Sequence, residues 1–204
     1  MANRFPGRVD LNVIFDLVDS GSRVLDLGCG DGALLFRLVR EKNVIGRGIE
    51  KTDEGVQECV AKGLSVLHGD LDAGLRDYND KSFDFVILSL TLQEVRKPLL
   101  VLNEICRVGK RAIVSFPNYG HWRLRLGLLF KGRMPRSKIL PEKWYETPNI
   151  HLCTVQDFRE LCKELGIKIL KEVYLKDQFT VDSRFFVRKF PNLFAGLAIF
   201  VISK

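Results

Sequence analysis

The stretch Arg23-Val24-Leu25-Asp26-Leu27-Gly28-Cys29-Gly30-Asp31-Gly32 runs from a short apolar segment straight into a glycine-rich turn. Val24, Leu25 and Leu27 read as a buried strand, the three glycines as a turn where backbone approaches a ligand, and residues 33–40 as an amphipathic helix. Strand, glycine turn and helix in that order open an α/β fold that holds a nucleotide-like cofactor at its strand ends.

Two ligand classes compete for this turn. Gly28, Gly30 and Ala33 satisfy G-x-G-x-x-[GA], and Glu50 follows Gly30 by 20 residues, which fits a dinucleotide. A pyrophosphate, however, wants N–H groups and a helix N-terminus without carboxylates crowded against it. Here Asp26 precedes the first glycine and Asp31 interrupts the loop. Those acids favour a nucleoside that carries an ammonium and a sulfonium and no phosphate, through weakly screened attraction in a partly dry cleft. S-adenosylmethionine is such a molecule, and its demethylated product S-adenosylhomocysteine keeps the ammonium. Glu50 ends the strand-like run 44–49, where it can accept from ribose hydroxyls. Asp70 follows the run 64–67, where it can accept from an adenine amino group while Leu71 packs on the ring. A plainer reading of the same residues has Asp26 capping the turn, Glu50 and Asp70 as solvated loop acids, and the glycines serving helix–strand packing. Cys29 reads as a small residue that fits the turn.

Beyond the loop, helical and strand-like runs alternate. A helical spacing over residues 10–19 precedes the first strand; further helices are expected at 54–61 and 99–106, and further strands at 83–89 and 111–116. Short apolar strands joined by helical crossovers imply a doubly wound, mostly parallel sheet. After Phe116 the regular pattern stops. Residues 117–150 hold Pro117, Gly120, Gly127, Gly132, Pro135, Pro141 and Pro148, with only a modest helical stretch at 122–130. A long irregular segment at the carboxyl end of a strand reads as a lid or partner surface over the cofactor cleft. A capped helix from Thr154 through Glu164 and strands at 167–175 and 195–203 follow, the last antiparallel to its predecessor, with the basic and aromatic stretch 184–191 between them.

With 204 residues, 46% hydrophobic and 28% charged, the chain has material for one domain, 1–204, with its own core. Its five cysteines are scattered without a C-x-x-C pair, so neither a disulfide framework nor a metal site is expected, and a reducing cytoplasm is the expected compartment. The N-terminal residues lack the apolar core of a signal peptide, and the most apolar run, 193–202, is too short to span a bilayer, so no membrane is expected. The net charge of +7 permits an anionic partner. Arg123, Arg125, Lys131, Arg133, Arg136, Lys138 and Lys143, flanked by Trp122, Phe130 and Trp144, form a run that can follow a nucleic-acid backbone or simply cover apolar surface with long stems.

Several stretches together resemble a known family. Residues 23–32, Gly69-Asp70-Leu71-Asp72, residues 83–93, residues 107–118, Gly120-His121-Trp122-Arg123 and residues 144–154 are similar to the MetW family of methionine biosynthesis proteins, within the class I S-adenosylmethionine-dependent methyltransferase fold. The resemblance covers about residues 8–172 and is most specific after Phe116. It implies a seven-stranded, Rossmann-like sheet ending in an antiparallel pair. It also implies cofactor contacts at Asp26, Gly28, Gly30, Glu50, Asp70 and Leu71, and a homoserine O-acyltransferase as partner.

Methyl transfer requires a nucleophile held in line with the sulfonium methyl and, where it is protonated, a base. Asn118, Tyr119, His121, Tyr145 and His151 are the candidates, and each also reads as a polar group steadying an irregular segment. Residues Ser89-Leu90-Thr91-Leu92-Gln93 stand where adenine N-methyltransferases carry Asn/Asp-Pro-Pro-aromatic, which argues against methylation of base amino groups. Three functions remain open: an accessory subunit of methionine synthesis, a small-molecule methyltransferase, and an RNA methyltransferase.

Overall fold

The most apolar short runs become the innermost strands. β1 (Arg23–Leu27) and β4 (Phe83–Ser89) lie parallel, and Val24, Leu25, Leu27, Phe85, Val86, Ile87 and Leu88 are each no more than 1% exposed. β2 (Ile45–Glu50) and β3 (Val66–His68) extend the parallel sheet on one side and β5 (Gly109–Pro117) on the other. β8 (Leu197–Ser203) inserts antiparallel between β5 and β6 (Lys168–Asp177), and the two-residue β7 (Thr180–Val181) pairs with the outer edge of β6. The order is therefore β3-β2-β1-β4-β5-β8-β6-β7. The expected seven-stranded arrangement with its antiparallel end is present, and Thr180–Val181 adds a short eighth strand. This computed structural model describes residues 4–134, 136, 142–177, 180–181, 187 and 189–204.

Strand side chains alternate between faces, and the two cores follow from that alternation. Leu25, Leu27, Val86, Leu88, Val114 and Phe116 meet α4 (Pro98–Val108) and α6 (Val155–Glu164) through Leu102, Ile105 and Phe158. Val24, Phe85, Ile87 and Ile113 meet α1 (Val9–Leu17) and α2 (Ala33–Lys42) through Ile14, Phe15, Leu34, Leu35 and Leu38. Phe116, Phe158 and Phe200 stack within 4.7–5.7 Å of one another and lock α6 onto β5 and β8. The expected helix opening at Thr154 is a complete capping box with Asp157. α3 (Asp53–Ala61) is likewise capped by the Thr52 hydroxyl.

Two boundaries move for local reasons. β3 starts at Val66 because the Leu64 N–H closes a turn onto Cys59 O across left-handed Gly63. β5 begins at Gly109, paired with Phe83, because α4 ends directly into the strand. In the irregular segment, α5 (Trp122–Lys131) forms as expected, capped by the His121 ring and ended by left-handed Gly132. Pro135, Lys138 and Pro141 of that segment lie outside the described residues, as do 184–186 and 188 of the basic connection. The described part of that connection leads into α7 (Pro191–Phe194).

Candidate functional site

A parallel sheet brings the carboxyl ends of its strands to one edge, so the segments after β1, β2, β3 and β4 converge there. The glycine loop is fastened to β2 by the N–H groups of Gly28 and Cys29, which donate to Ile49 O at 2.8 and 3.2 Å. A methyl group on Gly28 would meet Thr91 Oγ1 at 2.8 Å, and one on Gly32 would meet Leu64 Cδ1 at 2.6 Å and Cys59 Sγ at 2.7 Å. Neither position has room for a side chain. All three glycines have positive φ, +67°, +55° and +73° in order, but only at Gly30 would a Cβ find nothing within 4 Å, so its backbone borders open space.

The acids flank that space unequally. Asp26 is at 3% exposure, its carboxyl accepts no hydrogen bond among the described residues, and burial followed by the charge of Glu50 pushes that carboxyl up to about 7. Glu50 is the opposite case. Its Oε2 accepts from Gly30 N–H at 2.8 Å, and its Oε1 accepts from the N–H groups of Lys51 and Thr52 and the Thr52 hydroxyl, each at 2.9 Å. Burial raises the Glu50 carboxyl, but donors at Thr52, Gly30 and Lys51 outweigh it and hold the group ionised below its ordinary range. Glu50 thus ties the glycine loop to the start of α3 and keeps lone pairs for a ligand. Asp70 is half exposed, accepts from Asp72 N–H at 2.9 Å and pairs with Lys51 Nζ at 2.8 Å, while Leu71 beside it is in the core. Asp31 accepts from Ala33 N–H at 3.0 Å and pairs with Lys62 at 3.0 Å. A carboxylate therefore already sits on the first turn of α2, where a pyrophosphate would need to bind.

Two further acids reach the same mouth, and the sequence reading missed both. Partial desolvation, then the charges of Glu142 and Glu50, raise the Glu94 carboxyl, which places all three within electrostatic reach of one another. Only the folded path of residues 142–150 brings Glu142 there, because the N–H groups of Ile150 and His151 donate to Gln93 O at 2.9 and 3.0 Å just beyond β4. That turn is tense: Leu90 has a φ of +55°, and the buried Gln93 side chain leaves Oε1 without a donor among the described residues. The Cys29 and Cys59 sulfurs lie 3.7 Å apart, and burial raises both thiols, with Asp26 adding to the shift, so neither is a ready nucleophile.

The five candidates of the irregular segment are dispersed. Asn118 is 1% exposed; its amide donates to Ala195 O (2.7 Å), Asn192 O (3.1 Å) and Pro191 O (3.4 Å), and its Oδ1 accepts from Gly120 N–H (3.0 Å) and Val155 N–H (3.3 Å). Tyr119 is half-buried, its phenol pushed up to about 12 by burial and then by Glu142. His121 Nδ1 accepts from Arg123 N–H at 3.3 Å as the α5 cap, and burial and Arg123 lower its pKa. Tyr145 is 61% exposed and packs its ring on Trp144 at 5.4 Å. His151 is exposed and held through its backbone. Among the described residues no group of three or more His, Cys, Asp and Glu side chains is arranged to hold a metal, and no helix is long and apolar enough to cross a membrane.

Against this geometry, comparison with known proteins is specific. A bifunctional methionine biosynthesis protein MetXA/MetW from Rhodopirellula baltica is 36% identical over 83% of this chain, which spans 29% of that relative's length. A demethylmenaquinone methyltransferase from Shouchella clausii is 31% identical over 74% of this chain and 72% of its own. The crystal structure of magnesium protoporphyrin IX methyltransferase from Synechocystis PCC 6803 with bound SAH superposes with a TM-score of 0.65 at 16% identity, covering 95% of this chain and 81% of the other, a likeness of fold. The family model described as methionine biosynthesis protein MetW matches residues 8–202, and the chain belongs to that family.

Proposed function

We propose that the cleft binds S-adenosylmethionine or S-adenosylhomocysteine, and that the protein serves methionine biosynthesis as a cofactor-responsive accessory of a homoserine O-acyltransferase. The observation that carries the ligand is Asp26, a buried carboxylate without a hydrogen-bond donor beside an ionised Glu50. Such a pair is costly unless a cation enters. Gly30 leaves room for a ligand beside its backbone, and Asp31 disfavours a diphosphate. Asp26, Gly28, Gly30, Glu50, Asp70 and Leu71 would hold the nucleoside; when bound, S-adenosylmethionine supplies an electrophilic methyl group. Calorimetric titration with S-adenosylmethionine, S-adenosylhomocysteine and NAD tests this reading. Binding of the first two without NAD is expected; NAD alone binding would overturn it.

The partner rests on the relative that joins MetXA and MetW in one protein, and the irregular segment offers it a face. Of α5 only Leu124 is buried, while Leu129 (73%) and Phe130 (78%) are exposed, as are Arg123, Lys131 and Arg133 within and just after the same helix, and Trp144 (72%) further along the segment. Exposed aromatic and aliphatic side chains rimmed by charge are the make-up of a protein-binding surface. Replacing Leu129 and Phe130 together with Ser should weaken acyltransferase binding at least ~10-fold, since anchor residues each contribute about 1–2 kcal/mol or more. The melting temperature should not move, and co-elution of the variant at wild-type affinity would remove this face from consideration.

A second reading, methyl transfer to a small molecule, is favoured by the Shouchella clausii relative, which the chain matches over 72% of its length. Labelled methyl from S-adenosylmethionine appearing in a metabolite pool would establish it. An RNA acceptor would instead show label in RNA and binding that weakens steeply with salt.

A further inference from the structure

α3 braces the glycine loop near both of its ends. At its start the Thr52 cap shares Glu50 with the Gly30 N–H, and a methyl group on Gly55 would lie 2.7 Å from Glu50 Cγ and 3.0 Å from Gly30 O. Toward its other end, Cys59 Sγ donates to that same Gly30 carbonyl at 3.4 Å. The Cys59 sulfur also lies 3.7 Å from that of Cys29, which stands in the loop between Gly28 and Gly30. Two thiols 30 positions apart in the chain thus meet where helix and loop touch.

Glycines make the slot in which they meet. A methyl group on Gly48 of β2 would be 2.7 Å from Cys29 Sγ, and one on Gly32 would be 2.7 Å from Cys59 Sγ, so a side chain at either position would push into a sulfur. Cys59 is 0% exposed, whereas Cys29 is only partly covered. An oxidant arriving from solvent therefore reaches Cys29 first and finds Cys59 behind it.

We propose that Cys29 and Cys59 are a redox couple that closes to a disulfide under hydrogen peroxide, and that the closed form holds S-adenosylhomocysteine more weakly. The Cys29 sulfur takes one peroxide oxygen as the O–O bond breaks, giving a sulfenic acid and water. The Cys59 sulfur then attacks the Cys29 sulfur; the S–S bond forms, the S–O bond breaks, and the Cys59 proton leaves with the oxygen as a second water. Each sulfur has lost one electron, and the peroxide is reduced to water. Because burial keeps both groups as thiols, the first step is slow and the couple registers sustained exposure to oxidant. Closing draws the sulfurs together by about 1.7 Å to disulfide length and removes the proton that Cys59 gives to Gly30 O. Gly30, which also donates to Glu50, shifts in response, and the open space beside its backbone changes with it. The effect on the ligand rests on the cofactor reading above; the couple itself does not.

The test treats the purified chain with hydrogen peroxide, blocks the remaining thiols with N-ethylmaleimide and maps its peptides by mass spectrometry before and after dithiothreitol. A cross-linked pair containing Cys29 and Cys59, lighter than its two parts by two hydrogens and released by dithiothreitol, is the expected product. Calorimetry should then find S-adenosylhomocysteine bound roughly 10-fold more weakly by the oxidised protein, the scale of one lost hydrogen bond to a charged group, with recovery under dithiothreitol. The double variant Cys29→Ser, Cys59→Ser has no sulfur in the slot and should bind equally before and after peroxide. Sulfinic acid at Cys29 with Cys59 left free, or a bridge formed elsewhere, overturns the couple. A bridge that leaves affinity unchanged, or a double variant as sensitive to peroxide as the wild type, overturns its effect on the ligand. Reduced protein that binds no S-adenosylhomocysteine overturns the cofactor reading instead, while the peptide map still decides the couple. Should the double variant not fold, the wild-type map and the recovery under dithiothreitol decide both points.

Discussion

Replacing Asp26 with Asn should raise the melting temperature of the ligand-free protein at pH 8 by about 5–10 °C, and the same substitution should weaken S-adenosylmethionine binding by about 1–3 kcal/mol. The stability effect follows from linkage. The folded carboxyl holds its proton up to about 7, against 3.8 in an unfolded chain. Below 3.8 both states carry the proton and the fold loses nothing. From there to about 7 the unfolded chain has released its proton while the folded one retains it, so stability falls as pH rises and then levels off. At 1.36 kcal/mol per unit, the whole window is worth on the order of 4 kcal/mol. Asn carries no charge, so the difference between variant and wild type should open from pH 4 to pH 7 and stay constant above. Thermal unfolding across that range reads it directly, and parallel profiles would refute the assignment. A cationic ligand should also draw the proton off Asp26, so binding near pH 6.5 should release protons, seen as an enthalpy that varies with the buffer's heat of ionisation.

Asn118→Ala should cost on the order of 3 kcal/mol of stability, for a different reason. Its amide is hydrogen-bonded only to backbone and joins three segments: the exit of β5, the start of α6 and the turn of α7. Truncation leaves buried N–H and C=O groups without partners, each worth about 1–3 kcal/mol before relaxation. Urea unfolding measures the loss. Ligand affinity, taken where the variant is folded, should change less than about threefold, because this residue organises the scaffold behind the cleft. Unchanged stability with collapsed binding or turnover would make Asn118 a substrate contact instead.

These two residues show what could be read from the sequence and what could not. Asp26, Glu50 and Asp70 each follow a short apolar run, and parallel pairing alone puts such positions on one edge, so the acidic mouth was legible without coordinates. The division of labour among the acids was not. Whether a carboxylate meets a cation or four backbone and hydroxyl donors depends on how the Gly30 turn and the Thr52 cap fold around it, and residue type carries no record of that. Asn118 and Arg8 show the same gap: apart from Gly120, the partners of Asn118 are backbone 37 to 77 residues away, and that of Arg8 is an acid two residues on. The pattern Arg8-Val9-Asp10 was a signal that went unused, since a base and an acid two apart ahead of an apolar helix face can pair. β7 and α7, two and four residues long, are too short for any periodicity to build up.

The antiparallel insertion of β8 bears on how the molecule is made. Ala112 is matched with Ile202 and Pro117 with Leu197, so the hydrogen-bonded ladder beside β5 stays incomplete until residues 197–203, some eighty positions further along, have been made. Until then the apolar flank of β5 is an unpaired edge and nascent material is at its most adhesive. Chaperone demand during synthesis, and inclusion bodies on overproduction, should accordingly respond to substitutions in residues 197–203 far more than to changes around the glycine turn.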